Sequence, residues 1–350
     1  MRPDPATKDR RPGFDGSNRF ANLRPTAVFE SYWRFAAERQ AIFFRRLADT
    51  PAPWTKDPIL ARHRFTNAYR AADRVSQFLI REVIYGIGRS HAERETLFRI
   101  MLFKLFNKIE TWLLLEQQLG PLTWRDFDFQ AYDQVLSRAK AHGTTLYSAA
   151  YIIPPVKWSG GDGVKHRGHL HLIQTSLKGD LTDTLVRAKS LDQVFSALKG
   201  LPSFGDFLAF QLAIDLNYST LIDFPENSFV VAGPGARDGI AKCFENAQEF
   251  ATEDIIHFMY ERQDREFERL GLSFQSLWGR SLQPIDCQNL FCEISKYARV
   301  AHPEVAGVSG RTRIKQIFKP DNTPIPVWFP PKWGLNDLLP LRQPAPTRLL

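Results

Sequence analysis

The sequence is poor in the features that anchor whole classes of protein. Its 350 residues include three cysteines, Cys243, Cys287 and Cys292. An odd number without paired metal spacing points away from a disulfide framework or a thiolate zinc site and toward buried thiols. No apolar run approaches the roughly 18 residues that a membrane-spanning helix needs. The opening stretch, MRPDPATKDRRPGFDG, lacks the apolar core of a secretion signal, so the expected compartment is the cytoplasm, or the nucleus in a eukaryote. Strand-type alternation is scarce, which speaks against a sheet-based fold. No G-x-x-x-x-G-K-[ST] occurs, so the usual cradle for a nucleoside triphosphate is missing.

What is present is positive charge and helical periodicity. A formal charge of +8 attracts a polyanion before any specific contact forms, and nucleic acid is the leading partner. Apolar residues recur at helical spacing over 26–49, where Phe29, Trp33, Phe43 and Leu47 share a face and Thr50-Pro51-Ala52-Pro53 stops the helix. Similar patterns predict helices over 65–85, 91–117, 128–142, 191–198, 236–249, 254–270 and 286–301, with a long loop over 144–168. Nine of the 23 prolines fall in 302–350, which predicts an extended tail laid over the surface. The expected organisation is a basic arm over 1–25, a helical domain over 26–301 with subdomains of about 26–190 and 191–301, and that tail.

Two stretches carry the functional reading. In RFTNAYRAADRVSQFLIREVIYG, from Arg64, the residues Asn67, Arg70, Arg74, Gln77 and Arg81 recur at three and four, so one continuous helix would present them on one face. Ala68, Ala72, Val75, Leu79 and Val83 would pack the opposite face. Such donors suit phosphates and base edges; a solvated charged face with Asp73 pairing locally is the other reading. In LPSFGDFLAFQLAIDLNYSTLIDFPENSFVVAGPGARDGIAKCF, residues 201–244, the order reads helix, tight hairpin, helix, Gly-rich loop, helix. The turn containing Ser203 and Gly205 frees backbone N–H groups at a helix start. Gly233 and Gly235 open a further helix with Arg237 in its first turn, so these five residues are candidates for gripping a DNA phosphate.

The hairpin resembles the helix-hairpin-helix signature of DNA glycosylases, with Ser203 where a middle glycine is usual and Gly233 about where that family's catalytic aspartate stands. Together with FTNAYRAADRVSQ, FNKIETW, FVVAGPGARDGIAKCF and LFCEISKYAR, it makes about residues 26–318 resemble the 5-hydroxymethyluracil DNA kinase helical domain. That family is grouped with the alpha-glutamyl/putrescinyl-thymine pyrophosphorylases of phage DNA hypermodification. The resemblance implies a mainly α-helical fold of the helix-hairpin-helix glycosylase type, two helical subdomains flanking a basic cleft. It also implies double-stranded DNA with modified pyrimidines as partner and a flipped base as substrate. The expected reaction is N-glycosidic cleavage leaving an abasic site, as in antiviral defence. The rivals are group transfer onto an activated 5-hydroxymethyl group and a non-catalytic module that presents DNA to a separate base kinase. Asp215, Glu226 and Glu293 lie in or beside these motifs and are the candidate catalytic carboxylates, with Lys296 as charge partner; structural ion pairs are the alternative for each. No cofactor and no metal are expected, since HRGHLHLIQ, from His166, reads as a helix opening on which His169 and His171 point apart.

Overall fold

A computed structural model describes residues 19–149, 153–158, 161–320 and 326–340. Most of the expected basic arm and parts of the expected tail lie outside these residues. Among the described residues the fold is mainly helical: thirteen α-helices, with isolated β-bridges in place of a sheet. No described helix is long and apolar enough to cross a membrane.

Helix α1 (Ala27–Leu47) begins where Thr26 Oγ1 accepts the N–H of Val28, and it turns Phe29, Tyr32, Trp33 and Phe43 into the core. A short α2 (Pro58–Arg62) follows, capped by Asp57. α3 (Arg74–Phe78), α4 (Glu93–Phe106), α5 (Ile109–Leu119), α6 (Phe129–Ala141), α7 (Lys165–Lys178), α8 (Leu181–Arg187), α9 (Leu191–Lys199) and α10 (Asp206–Leu216) form the middle of the chain. α11 (Pro234–Cys243), α12 (Thr252–Arg269) and α13 (Pro284–Ala301) complete the set. α13 is the hub of one group, packing on α1, α2, α11 and α12, while α4 is buried among α5, α7, α8 and α10. The first long helix thus lies with the last three. α11 and α13 meet backbone to backbone at Gly239, where an added Cβ would sit 1.9 Å from the carbonyl oxygen of Phe291.

The structure corrects three expected elements. Residues 65–85 do not form one helix: a 3-10 turn (Arg70–Ala72) is followed by a break at Asp73, then α3, then a π-helical stretch (Leu79–Ile84). Local side-chain bonds outcompete the helix here. The Asp73 carboxylate accepts the N–H of Asn67 at 2.7 Å, and Asn67 Nδ2 donates to the carbonyl of Ala72 at 2.7 Å. The 91–117 pattern is two helices, because Asn107 turns left-handed at φ 47° and closes α4. The helix expected over 236–249 ends at Cys243.

Beyond α13 the described residues pack on the helices in two segments. Residues 316–318 run antiparallel to 62–64, with Arg64 N–H to Gln316 O at 3.1 Å and Phe318 N–H to Arg62 O at 2.9 Å. Residues 326–340 carry two 3-10 turns and bury Val327 and Phe329.

Candidate functional site

Arg70 is the best-connected side chain of the interior. Its Nε donates to Gln211 Oε1 at 2.9 Å, Nη1 to Tyr218 Oη at 2.9 Å and Nη2 to Asp215 Oδ1 at 2.6 Å, while its own N–H donates to Asp286 Oδ1 at 2.8 Å. Lys104 Nζ reaches the other oxygen of Asp215 at 2.8 Å. Arg70, Lys104 and Asp215 are 4%, 2% and 2% exposed, so this is an ion-pair knot inside the core. Burial pushes the Asp215 carboxyl up, but Arg70 and Lys104 outweigh it and hold it below the usual carboxylate range. Burial drives Asp286 up to about 7.

Glu226 is also buried, its Oε1 held 3.1 Å from Arg280 Nη2. Trp333 of the C-terminal segment covers that guanidinium at 3.9 Å from its ring centre. Residues 201–204 form a tight turn between α9 and α10, with the Phe204 N–H bonded to Leu201 O at 3.1 Å. Ser203 occupies the left-handed region at φ 66°, which accounts for the usual glycine there. Gly233 caps α11, and a Cβ at Gly233 would strike the Phe207 ring. At Gly235 the obstacle would be Cys292 Sγ.

The third polar cluster borders a cavity. Glu293 Oε2, on α13, accepts the N–H of Thr66 at 3.1 Å and lies 2.6 Å from Lys296 Nζ. Lys296 in turn sits 5.3 Å above the ring of Phe65. Phe65 lines a cavity of about 320 Å³ with Trp54 and Phe318 as the other aromatic walls and Arg39, Arg46 and His63 as polar ones. That volume lies in the range of small-molecule sites. Arg39 donates to the carbonyl of Phe65, and burial pulls its guanidinium down to about 10 against the pull of Asp73 and Glu293. Burial, reinforced by Glu293, raises Asp73 to about 7. His63 Nδ1 and Thr66 Oγ1 are buried with no hydrogen-bond partner among the described residues. Aromatic walls and cations at their edge suit a flat, polar-edged ring.

Of the sequence-predicted residues, Glu293 and Lys296 meet beside this cavity. Asp215 and Glu226 each sit in a separate buried ion pair. The proposed donor face is not a face. Arg70 points inward, and Gln77 is buried, bonded to Ala71 O and to the N–H of Trp328. Asn67 serves its own loop, and Arg81 pairs with Glu82. Arg74 alone of the five is exposed, paired with Glu110 at 3.1 Å. Arg237 is exposed in the first turn of α11. The histidines of α7 are tied up separately: His166 to Asp133, His169 between Tyr147 and Pro154, and His171 stacked on Trp158. No group of three or more His, Cys, Asp or Glu side chains poised for a metal occurs among the described residues. Trp54, Arg39 and His63 were not singled out by sequence reasoning, because they come from separate segments with no shared period.

A family model described as "5-hmdU DNA kinase, helical domain" matches residues 26–307. A curated protein named "5-hmdU DNA kinase", from Bacillus phage SP10, is 28% identical over 286 residues. The alignment takes in 77% of this chain and 45% of that protein, so the chain spans less than half the length of this relative. No solved structure matches it significantly.

Proposed function

The chain belongs to the family of the 5-hmdU DNA kinase helical domain, and on that premise we propose that it binds a 5-hydroxymethylated pyrimidine of DNA in the cavity formed by α1, α2 and the 315–320 segment. The observation that carries this reading is the combination of Trp54, Phe65 and Phe318 as walls with Arg39, Arg46 and His63 among the lining residues. A base turned out of the duplex needs such a slot, since it gives up its stacking and its pairing partner and must recover both. Its ring would stack on the aromatics. Arg39 would donate to a pyrimidine carbonyl, and the Glu293–Lys296 pair behind Phe65 would fix the wall that carries it.

Within that reading the helical domain selects and holds the base, and the phosphoryl donor is held elsewhere. The sequence has no Gly-rich phosphate cradle, and more than half of the phage relative lies beyond the matched region. Base excision finds less support: Asp215 is neutralised by two buried cations and has no open position for a water or a sugar.

The test uses duplexes carrying 5-hydroxymethyluracil or thymine at one position. Tighter binding of the hydroxymethyluracil duplex, with base and strand left intact by the chain alone, is the expected result. Free base with alkali-labile sites would establish excision; on a duplex whose 5-hydroxymethyl group carries pyrophosphate, incubated with an amine, release of pyrophosphate with the amine joined to the base would establish group transfer. Equal affinity for both duplexes would remove the cavity from base recognition.

A further inference from the structure

The exposed cations do not lie on the single face that the helical pattern of residues 64–81 predicts. Ser309 N–H donates to Asp238 Oδ1 at 2.7 Å, pinning the chain against α11 just beside the exposed Arg237. From there the chain continues to residues 316–318, which pair antiparallel with residues 62–64 through the His63–Ile317 bridge. Thr312, Gln316 and Ile317 are exposed. Ile314 and Phe318 pack inward, and Phe318 forms a cavity wall. Arg311, Arg313, Lys315 and Lys319 are exposed, and Arg62 and Arg64 are exposed on the partner segment. No carboxylate lies within ion-pair distance of any of these six among the described residues.

Arg311, Arg313 and Lys315 stand on alternate residues, with Ile317 interrupting the series before Lys319; in extended chain such positions recur about every 6.6 Å, twice the rise per residue. That interval is comparable with the step between successive phosphates of one nucleic-acid strand. A row of unpaired cations in water gains most from a polyanion, because each phosphate it neutralises releases a condensed counter-ion. The row also ends at the cavity, since Phe318 and Pro320 line the cavity and flank Lys319.

We propose that the 311–319 ribbon, with Arg62 and Arg64 beside it, is the phosphate track of this protein: it holds the DNA backbone so that one nucleotide stands over the cavity. The proposal rests on the cavity reading for its register, while its electrostatics stand alone. The backbone then needs no base contact along the ribbon, and all sequence or modification preference falls to the cavity.

The experiment measures binding of the full chain to a labelled unmodified duplex by fluorescence anisotropy at several salt concentrations. The triple variant Arg311→Ala, Arg313→Ala, Lys315→Ala is expected to lower the slope of log affinity against log salt by about two to three, at about 0.9 for each phosphate no longer neutralised. Its helical circular dichroism and melting should match the wild type, because all three side chains are exposed. A control triple, Arg138→Ala, Lys140→Ala and Lys178→Ala on α6 and α7, is expected to keep the wild-type slope. An unchanged slope in the ribbon variant, an equal reduction in the control, or no duplex binding by the wild type would overturn the proposal. The preference of the wild type for a hydroxymethyluracil duplex over a thymine duplex reads the cavity separately. If that preference is absent while the ribbon variant still shows the reduced slope, the cavity reading falls and the phosphate track stands.

Discussion

At the residue scale, the acids that look alike in the sequence differ by their neighbours. Asp215 faces Arg70 and Lys104 in the interior, so removing its charge leaves two buried cations without the carboxylate that neutralises them. Asp215→Asn is expected to destabilise the fold by about 3–5 kcal/mol, the usual penalty for breaking a buried pair from one side; urea unfolding measures it. Wild-type stability in that variant would show that Asp215 is not the counter-ion of this knot. Asp286 works in the opposite sense. Its proton leaves the unfolded chain near 3.8 but stays on the folded one to about 7, so between these values the native state binds more protons. The contribution of this group to stability is therefore full below pH 4 and is lost as pH rises toward 7. Wild type should lose stability relative to Asp286→Asn across that window, and a constant difference between the two would contradict the assignment. The Glu293–Lys296 pair was visible in the sequence as an i, i+3 spacing on a periodic helix. The inward turn of Arg70 was not, because the Asx bonds that break the 65–85 pattern involve the same residue types that cap ordinary helices.

At the scale of elements, periodicity located most helices because each buries an apolar stripe, and the ends marked by Thr26, Asp128 and the prolines at Pro58 and Pro284 follow from capping chemistry. Glycines are less readable, since their roles depend on what crosses them. Gly205 and Gly239 look equivalent in the chain. An added Cβ at Gly205 meets nothing within 4 Å, whereas at Gly239 it meets the Phe291 backbone. Gly205→Ala should leave the denaturation midpoint nearly unchanged, while Gly239→Ala should cost about 1–3 kcal/mol or more, because neither helix can yield locally. Equal effects at the two positions would mean that α11 and α13 are not in backbone contact. The basic ribbon was hidden for a related reason: its two-residue period holds only from Arg311 to Lys315 and sits within a proline-rich stretch, which reads as tail.

At the scale of the whole molecule, the fold brings together what the sequence keeps apart. Trp54 follows α1, His63 and Phe65 follow α2, Glu293 and Lys296 lie on α13, and Phe318 comes after the helices have ended. The hub position of α13, between α1 and α11, places its Glu293 against Thr66 and so fixes the inner wall of the cavity. Family membership was legible from separate motifs in one order; the cavity was not, because no single motif contains it. The proposed role of the cavity in base recognition is tested most directly by measuring the affinities of wild type and Trp54→Phe, Phe65→Leu and His63→Ala variants for hydroxymethyluracil and thymine duplexes side by side. Wild type should favour the modified duplex, and the three variants should bring the two affinities together while leaving binding to the thymine duplex within about twofold. Retention of the full preference in all three variants would contradict the account.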